Sequence, residues 1–176
     1  MNRIVEQSKI AKGSFYQYFE DKKDLYFYLI DTIYKKKIQY LGPILQSSGE
    51  RSFSDNIKKL LLSGLSFSLN DPRLQRMAVD FTTNHRKLVD EFSAKYNPEA
   101  IDIYMALLSQ AREKGELRGD VNIQSASFFI SAIVNQTSIL MMGRLDKLLP
   151  DDDLVRELLT FINYAVLDHR SESLLS

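Results

Sequence analysis

Lys12, Gly13, Ser14, Tyr16 and Gln17 gather a cation, a hydroxyl, a phenol and a carboxamide around a glycine, with no acid among them. Such groups donate hydrogen bonds to phosphate oxygens and to base edges, and a glycine beside them allows close approach. Covalent catalysis finds far less to work with. Cysteine is absent, which excludes thiolate nucleophiles, thiolate metal sites and disulfides. His85 and His169 stand far apart in the chain, a poor basis for a metal site, and neither metal nor cofactor is expected. No glycine-rich phosphate loop, H-E-x-x-H or G-x-S-x-G motif occurs. The carboxylates cluster where helices start, and capping accounts for them there. The expectation is that the protein is not an enzyme.

Placed on a helix at about 100° per residue, Phe15, Tyr18 and Phe19 form one flank, and Gly13, Ser14, Tyr16 and Gln17 the other. The first flank is expected to face the protein. The second is small or hydrogen-bonding, as a helix lying in the major groove of DNA requires. Lys12 stands at the N-terminus of that helix, where free N–H groups already favour phosphate. Ahead of it, residues 2–8 (NRIVEQS) are expected to form a short helix. Lys9-Ile10-Ala11 makes the turn, with Ile10 filling the angle, in a helix-turn-helix layout. Behind it, Asp21 is positioned to cap the next helix, Asp24 follows, and Lys22 and Lys23 stand in the first turn. Periodicity by itself fits a packing helix with solvated lysines equally well.

The elements that must carry this stretch are helical. No segment alternates with period two for long enough to make a strand, and the chain reads as all-α with about eight helices. Gly42-Pro43 is expected to stop the connecting helix of residues 21–41, and QSSGERS (46–52) to serve as a polar connector. The division expected is a head with its connecting helix, 1–42, and a body, 43–176. In the body, Asp71-Pro72 and Asn97-Pro98 each set a capping side chain before a proline at the first helical position. Lys114-Gly115 closes one helix, and Asp151 to Asp153 suit the start of the last. Residues 1–41 hold eight Lys/Arg against five Asp/Glu, so the basic end is the better polyanion candidate. The most apolar run, residues 128–142, is interrupted by Asn135, Gln136, Thr137 and Ser138 and falls short of a membrane span. No secretory signal pattern opens the chain, and the default location is the cytoplasm.

Within residues 4–29 the stretch KIAKGSFYQYFEDKKDLY resembles the recognition helix and following connector of the TetR family of bacterial transcriptional regulators. The resemblance implies that Lys12, Gly13, Ser14, Tyr16 and Gln17 meet the groove, that Tyr18 and Lys22 reach phosphates, and that Phe15 and Phe19 are core. It implies a helical body that binds a small-molecule effector and forms a homodimer through helices of about 123–143 and 151–168. The implied activity is that of a repressor that releases operator DNA when a mostly apolar molecule binds. Family members open with one further helix, so the head here is incomplete. The 176-residue chain is accordingly expected to bind DNA weakly unless that helix is supplied. A helical sensor and dimerisation module without a working head is the alternative.

For the effector, apolar residues at helical spacing suggest a cavity bounded by Phe67, Met77, Phe81, Phe92, Tyr96, Tyr104 and Leu108, which Phe128 and Gln136 help close. Gly64 and the serines around it leave room beside the larger rings. Asn135, Gln136 and Tyr104 are the candidate polar anchors. Aromatic residues at this spacing also make ordinary core.

Overall fold

The computed structural model describes residues 12–142 and 153–168. Seven α-helices are found there: α1 Lys12–Tyr18, α2 Lys22–Gln46, α3 Phe53–Leu69, α4 Pro72–Asn84, α5 Arg86–Glu113, α6 Ile123–Met142 and α7 Asp153–Val166. Among the described residues there is no β-strand, and one isolated antiparallel bridge pairs Leu117 with Leu167. The all-α expectation holds. The helix expected over residues 2–8, the turn at 9–11 and Asp151 lie outside the described residues.

The capping chemistry acts largely where the sequence places it. Asp21 accepts a 2.8 Å hydrogen bond from the Asp24 amide, and the Asp24 carboxylate accepts one of 3.1 Å from the Glu20 amide. This reciprocal pair satisfies donors at the α2 N-terminus. Asp71 accepts from the Arg73 amide at 2.9 Å ahead of Pro72. Gly115 takes a left-handed φ of 74°, donates to the Arg112 carbonyl, and passes the Glu116 amide back to Ala111, the double bond of a Schellman ending.

Two expected boundaries are corrected. Helix α2 runs through Gly42-Pro43 to Gln46, and α5 runs through Asn97-Pro98 as one 28-residue helix. Pro43 lies near the end of its helix, where the Ser47 amide and hydroxyl both donate to its carbonyl. Pro98 is held by its neighbours: Lys95 and Tyr96 bond Asp31 of α2, and Glu99 accepts from Tyr34. These contacts bind both sides of the proline to α2 and outweigh the lost backbone bond.

Two apolar clusters organise the helices. The larger is mostly aliphatic and joins the C-terminal end of α2 to α3, α5, α6 and α7, with Phe53, Ile57, Leu108 and Ile162 almost fully enclosed. Contacts between α5 and α6 are the most extensive of any helix pair. Ser127 and Ser131 face inward beside Ile130 and Val134, and the Ser127 hydroxyl is satisfied by the Ile123 carbonyl at 2.7 Å. Small, self-satisfied side chains of this kind suit close helix approach. The bridge between Leu117 and Leu167 ties the α5–α6 connection to the end of α7. The smaller cluster is aromatic: Tyr26, Phe27 and Ile30 of α2 meet Met77 and Phe81 of α4 and Leu88, Val89 and Phe92 of α5.

Candidate functional site

Helix α1 is a short rod held by one ring. Phe15 is 2% exposed, its ring centroid lies 5.4 Å from that of Phe19, and Phe19 in turn lies 5.4 Å from Tyr28 of α2. With Phe15 turned inward, the opposite side faces solvent: Gly13 and Gln17 are exposed and Ser14 is half-buried. Tyr16 is 51% exposed. A Cβ at Gly13 would meet nothing within 4 Å, so no neighbour within the protein demands a glycine there. Lys12 opens the helix, and its side chain lies outside the described ones. No acid lies in α1.

Tyr18 corrects the sequence reading of the inward flank. At 78% exposure it points to water, because the helix ends there and the i, i+4 pair Phe15–Phe19 suffices to meet Tyr28. A buried phenol would also need a hydrogen-bond partner. Tyr18 is thus exposed like Tyr16, Gln17 and Lys22, and this stretch of chain offers two phenols, a carboxamide and an ammonium to solvent. Such groups can donate to phosphates and touch base edges.

Next to it a hollow of about 720 Å³ is lined by Lys22, Lys23, Tyr26, His85, Arg86 and Lys87, among others. Lys23 is engaged by Glu91 at 2.7 Å. Tyr26 joins the hollow to α4: its hydroxyl donates to Asp80 at 2.8 Å, its ring stacks 4.5 Å from His85, and His85 meets Asp80 at 3.1 Å. Burial first, then the Asp80 hydrogen bond, pushes the Tyr26 phenol well above its ordinary value. A second joint lies farther along α2. Asp31 is buried and receives Lys95 at 2.6 Å, Lys35 at 2.8 Å and the Tyr96 hydroxyl. Burial alone would raise its carboxyl, but the bonds from Lys35, Lys95 and Tyr96 outweigh that and hold it far below the usual range. Neither joint shows in the local sequence pattern. The available signal was Asp31 itself, an acid on the inward stripe of α2.

The residues expected around an effector divide three ways. Met77, Phe81, Phe92 and Tyr96 come together in or beside the aromatic cluster, with Phe81–Phe92 centroids 5.5 Å apart and Phe92–Tyr96 4.6 Å. Tyr104 and Leu108 belong to the aliphatic cluster, Leu108 with no exposure, and Phe67 packs on Tyr40 at 5.6 Å. Phe128, Asn135 and Gln136 stand exposed on the outer side of α6, not among the cavity helices. Ser127, Ile130, Ser131 and Val134 occupy the inward side at helical spacing, which turns those three away. Phe128 and Phe129 of α6 and Phe161 and Tyr164 of α7 are all exposed, the last two by 60% and 67%. A groove of about 390 Å³ runs between α6 and α7, lined by Phe129, Ile130, Ile133, Phe161, Ile162 and Ala165, among others.

Solved structures share this arrangement of helices. A TetR family transcriptional regulator from Chloroflexus aurantiacus superposes with a TM-score of 0.63 at 21% identity, over 96% of this chain and 84% of its own. The chain has the fold of the TetR-type regulators. FadR from Bacillus subtilis, solved in complex with stearoyl-CoA, shows the same TetR-type arrangement with a TM-score of 0.63 at 18% identity, over 92% of this chain and 85% of that one. The ketosteroid transcriptional regulator KstR2 of Mycobacterium tuberculosis matches with 0.60 at 13% identity, over 94% and 83%. No protein-family model and no curated protein matches the chain. Among the described residues, no helix is long and apolar enough to cross a membrane, and no group of acids and histidines is arranged to hold a metal ion.

Proposed function

We propose that this protein is a TetR-type transcriptional regulator that binds operator DNA as a homodimer in the cytoplasm and loses it when a small, mostly apolar effector binds. The observation that carries the reading is the orientation of α1: Phe15 is enclosed, while Gly13, Tyr16 and Gln17 face outward with Tyr18 and Lys22 beside them. A single recognition helix reads one half-site, so specific binding calls for two copies. The exposed rings of α6 and α7 and the apolar groove between them support such a pairing. The head and its connecting helix, which ends at Gln46, are followed by the sensor and dimerisation body. The fold shared with a ketosteroid regulator and with a stearoyl-CoA complex supports an effector that is largely hydrocarbon.

As a mechanism, the effector must bind the DNA-free arrangement more tightly than the DNA-bound one. Helix α2 bears the ring that anchors α1 at one end and packs into both clusters, so a shift between α4, α5 and α2 changes the separation of the two heads. The Tyr26–Asp80–His85 and Asp31–Lys95–Tyr96 joints are the contacts through which that shift passes. The test is enrichment of bound duplexes from a random pool by the protein. An inverted repeat with half-sites about one helical turn apart is expected. Recovery of no sequence preference would leave the sensor module without a head as the better reading.

A further inference from the structure

The hollow between the first turn of α2 and the α4–α5 corner gathers positive charge with no acid among its lining residues. Lys22 and Lys23 line it from α2, and Arg86 and Lys87 from the start of α5. All four are exposed. Lys23 pairs with Glu91 at 2.7 Å and Arg86 with Asp90 at 3.4 Å, whereas Lys22 and Lys87 join none of the ion pairs found among the described residues. Both pairs stand in solvent, where such contacts are exchanged for others at little cost.

The remaining wall is of a different kind. Leu25, Leu29 and Leu88 line the same hollow, and its volume of about 720 Å³ lies within the range of sites for small organic molecules. Helix α5 opens there without a side-chain cap, since His85 makes no such bond. The amides of its first turn are therefore available to an outside acceptor, and the dipole of this 28-residue helix adds to the attraction of the cations for negative charge. Tyr26 and Leu88 also belong to the aromatic cluster, and Tyr26 donates to Asp80, so the hollow adjoins the joint between α2 and α4.

We propose that this hollow is a ligand site in its own right, distinct from that of the apolar effector, and that it takes a small organic phosphate: a phosphate monoester whose other part is hydrocarbon. A monoester carries up to two charges and three acceptor oxygens, and four cations with a row of free amides match that demand where a lone carboxylate would leave most of it unmet. The three leucines receive the hydrocarbon, which inorganic phosphate lacks. The backbone of DNA is the other source of the same chemistry, but a concave wall that is partly leucine favours a ligand that brings its own apolar surface. Bound there, the ligand ties the first turn of α2, next to α1, to the corner between α4 and α5.

The experiment is calorimetric titration of the full chain with octyl phosphate, octan-1-ol and inorganic phosphate. Octyl phosphate is expected to bind at least about tenfold tighter than either of the others, because only it uses both the cations and the leucines. Arg86→Gln/Lys87→Gln should weaken it by about tenfold with an unchanged thermal melt, both residues being exposed. Lys58→Gln/Lys59→Gln, which removes the same charge from an exposed part of α3, should leave its affinity as it was. Failure of octyl phosphate to bind, affinity that survives Arg86→Gln/Lys87→Gln, or an equal loss in both double variants would overturn the site. A loss of affinity for duplex DNA in Arg86→Gln/Lys87→Gln, with no binding of octyl phosphate by the parent, would assign the cations to the DNA backbone and overturn it as well.

Discussion

The two apolar clusters differ in chemistry more than in position. The larger is almost wholly aliphatic, with Ile57, Leu61, Leu65, Leu107, Leu108, Ile130 and Ile162 closing against one another. The smaller is built from rings, and ions and hydrogen bonds lace its margins: Tyr26 to Asp80 and His85, Tyr96 and Lys95 to Asp31, and Lys95 over the Phe27 ring at 5.6 Å. Aliphatic packing resists displacement because each methyl group fills a defined space. Directional contacts with several donors per acceptor can be exchanged for others at small net cost, which suits a joint with two arrangements. The difference teaches that one end of α2 is set among aliphatic side chains and the other among rings bordered by polar contacts, and the proposed regulator would use the second as its joint.

The sharpest way to break this comparison is to cut into each cluster in turn. Leu108→Ala, at a site with no exposure, should cost about 3–5 kcal/mol in chemical unfolding and lower cooperativity throughout the molecule. A loss under about 1 kcal/mol would mean that the aliphatic cluster is not the scaffold. Asp31→Asn should cost less, about 1–3 kcal/mol, because Lys35 and Lys95 are half-exposed and can turn to water. Its pH dependence sharpens the assignment. The Asp31 carboxyl is held below its ordinary value of 3.8 in the folded protein, so its contribution is complete above that pH and is lost as pH falls through the folded value. The stability curves of parent and Asp31→Asn should therefore stand apart at neutral pH and converge in strong acid. Parallel curves down to the lowest pH would refute the role given to this carboxylate.

Much of this organisation is legible in the residues, and the failures are physical. The i, i+4 pair Phe15 and Phe19 is sufficient to orient α1, and Asp21, Asp71-Pro72 and Gly115 mark helix ends because their effects are local, within a turn of the residue concerned. Pro43 and Pro98 mislead for the converse reason. Whether a proline ends a helix depends on what its neighbours bond, and the partners of Lys95, Tyr96 and Glu99 are more than sixty residues away in sequence. The direction of Phe128, Asn135 and Gln136 is hidden because α6 is apolar nearly all round. Only packing, which buries Ser127 and Ser131, decides which side is inward.

The central claim is that the outward face of α1 reads DNA. Its most direct test is fluorescence anisotropy with the duplex enriched by selection and a scrambled one of equal length. The account predicts that Gln17→Ala lowers the ratio of specific to scrambled affinity, with a loss of about 1–3 kcal/mol on the specific duplex, while the melting temperature stays unchanged. An unaltered ratio in Gln17→Ala and in Tyr16→Ala, with the parent protein discriminating between the duplexes, would contradict it.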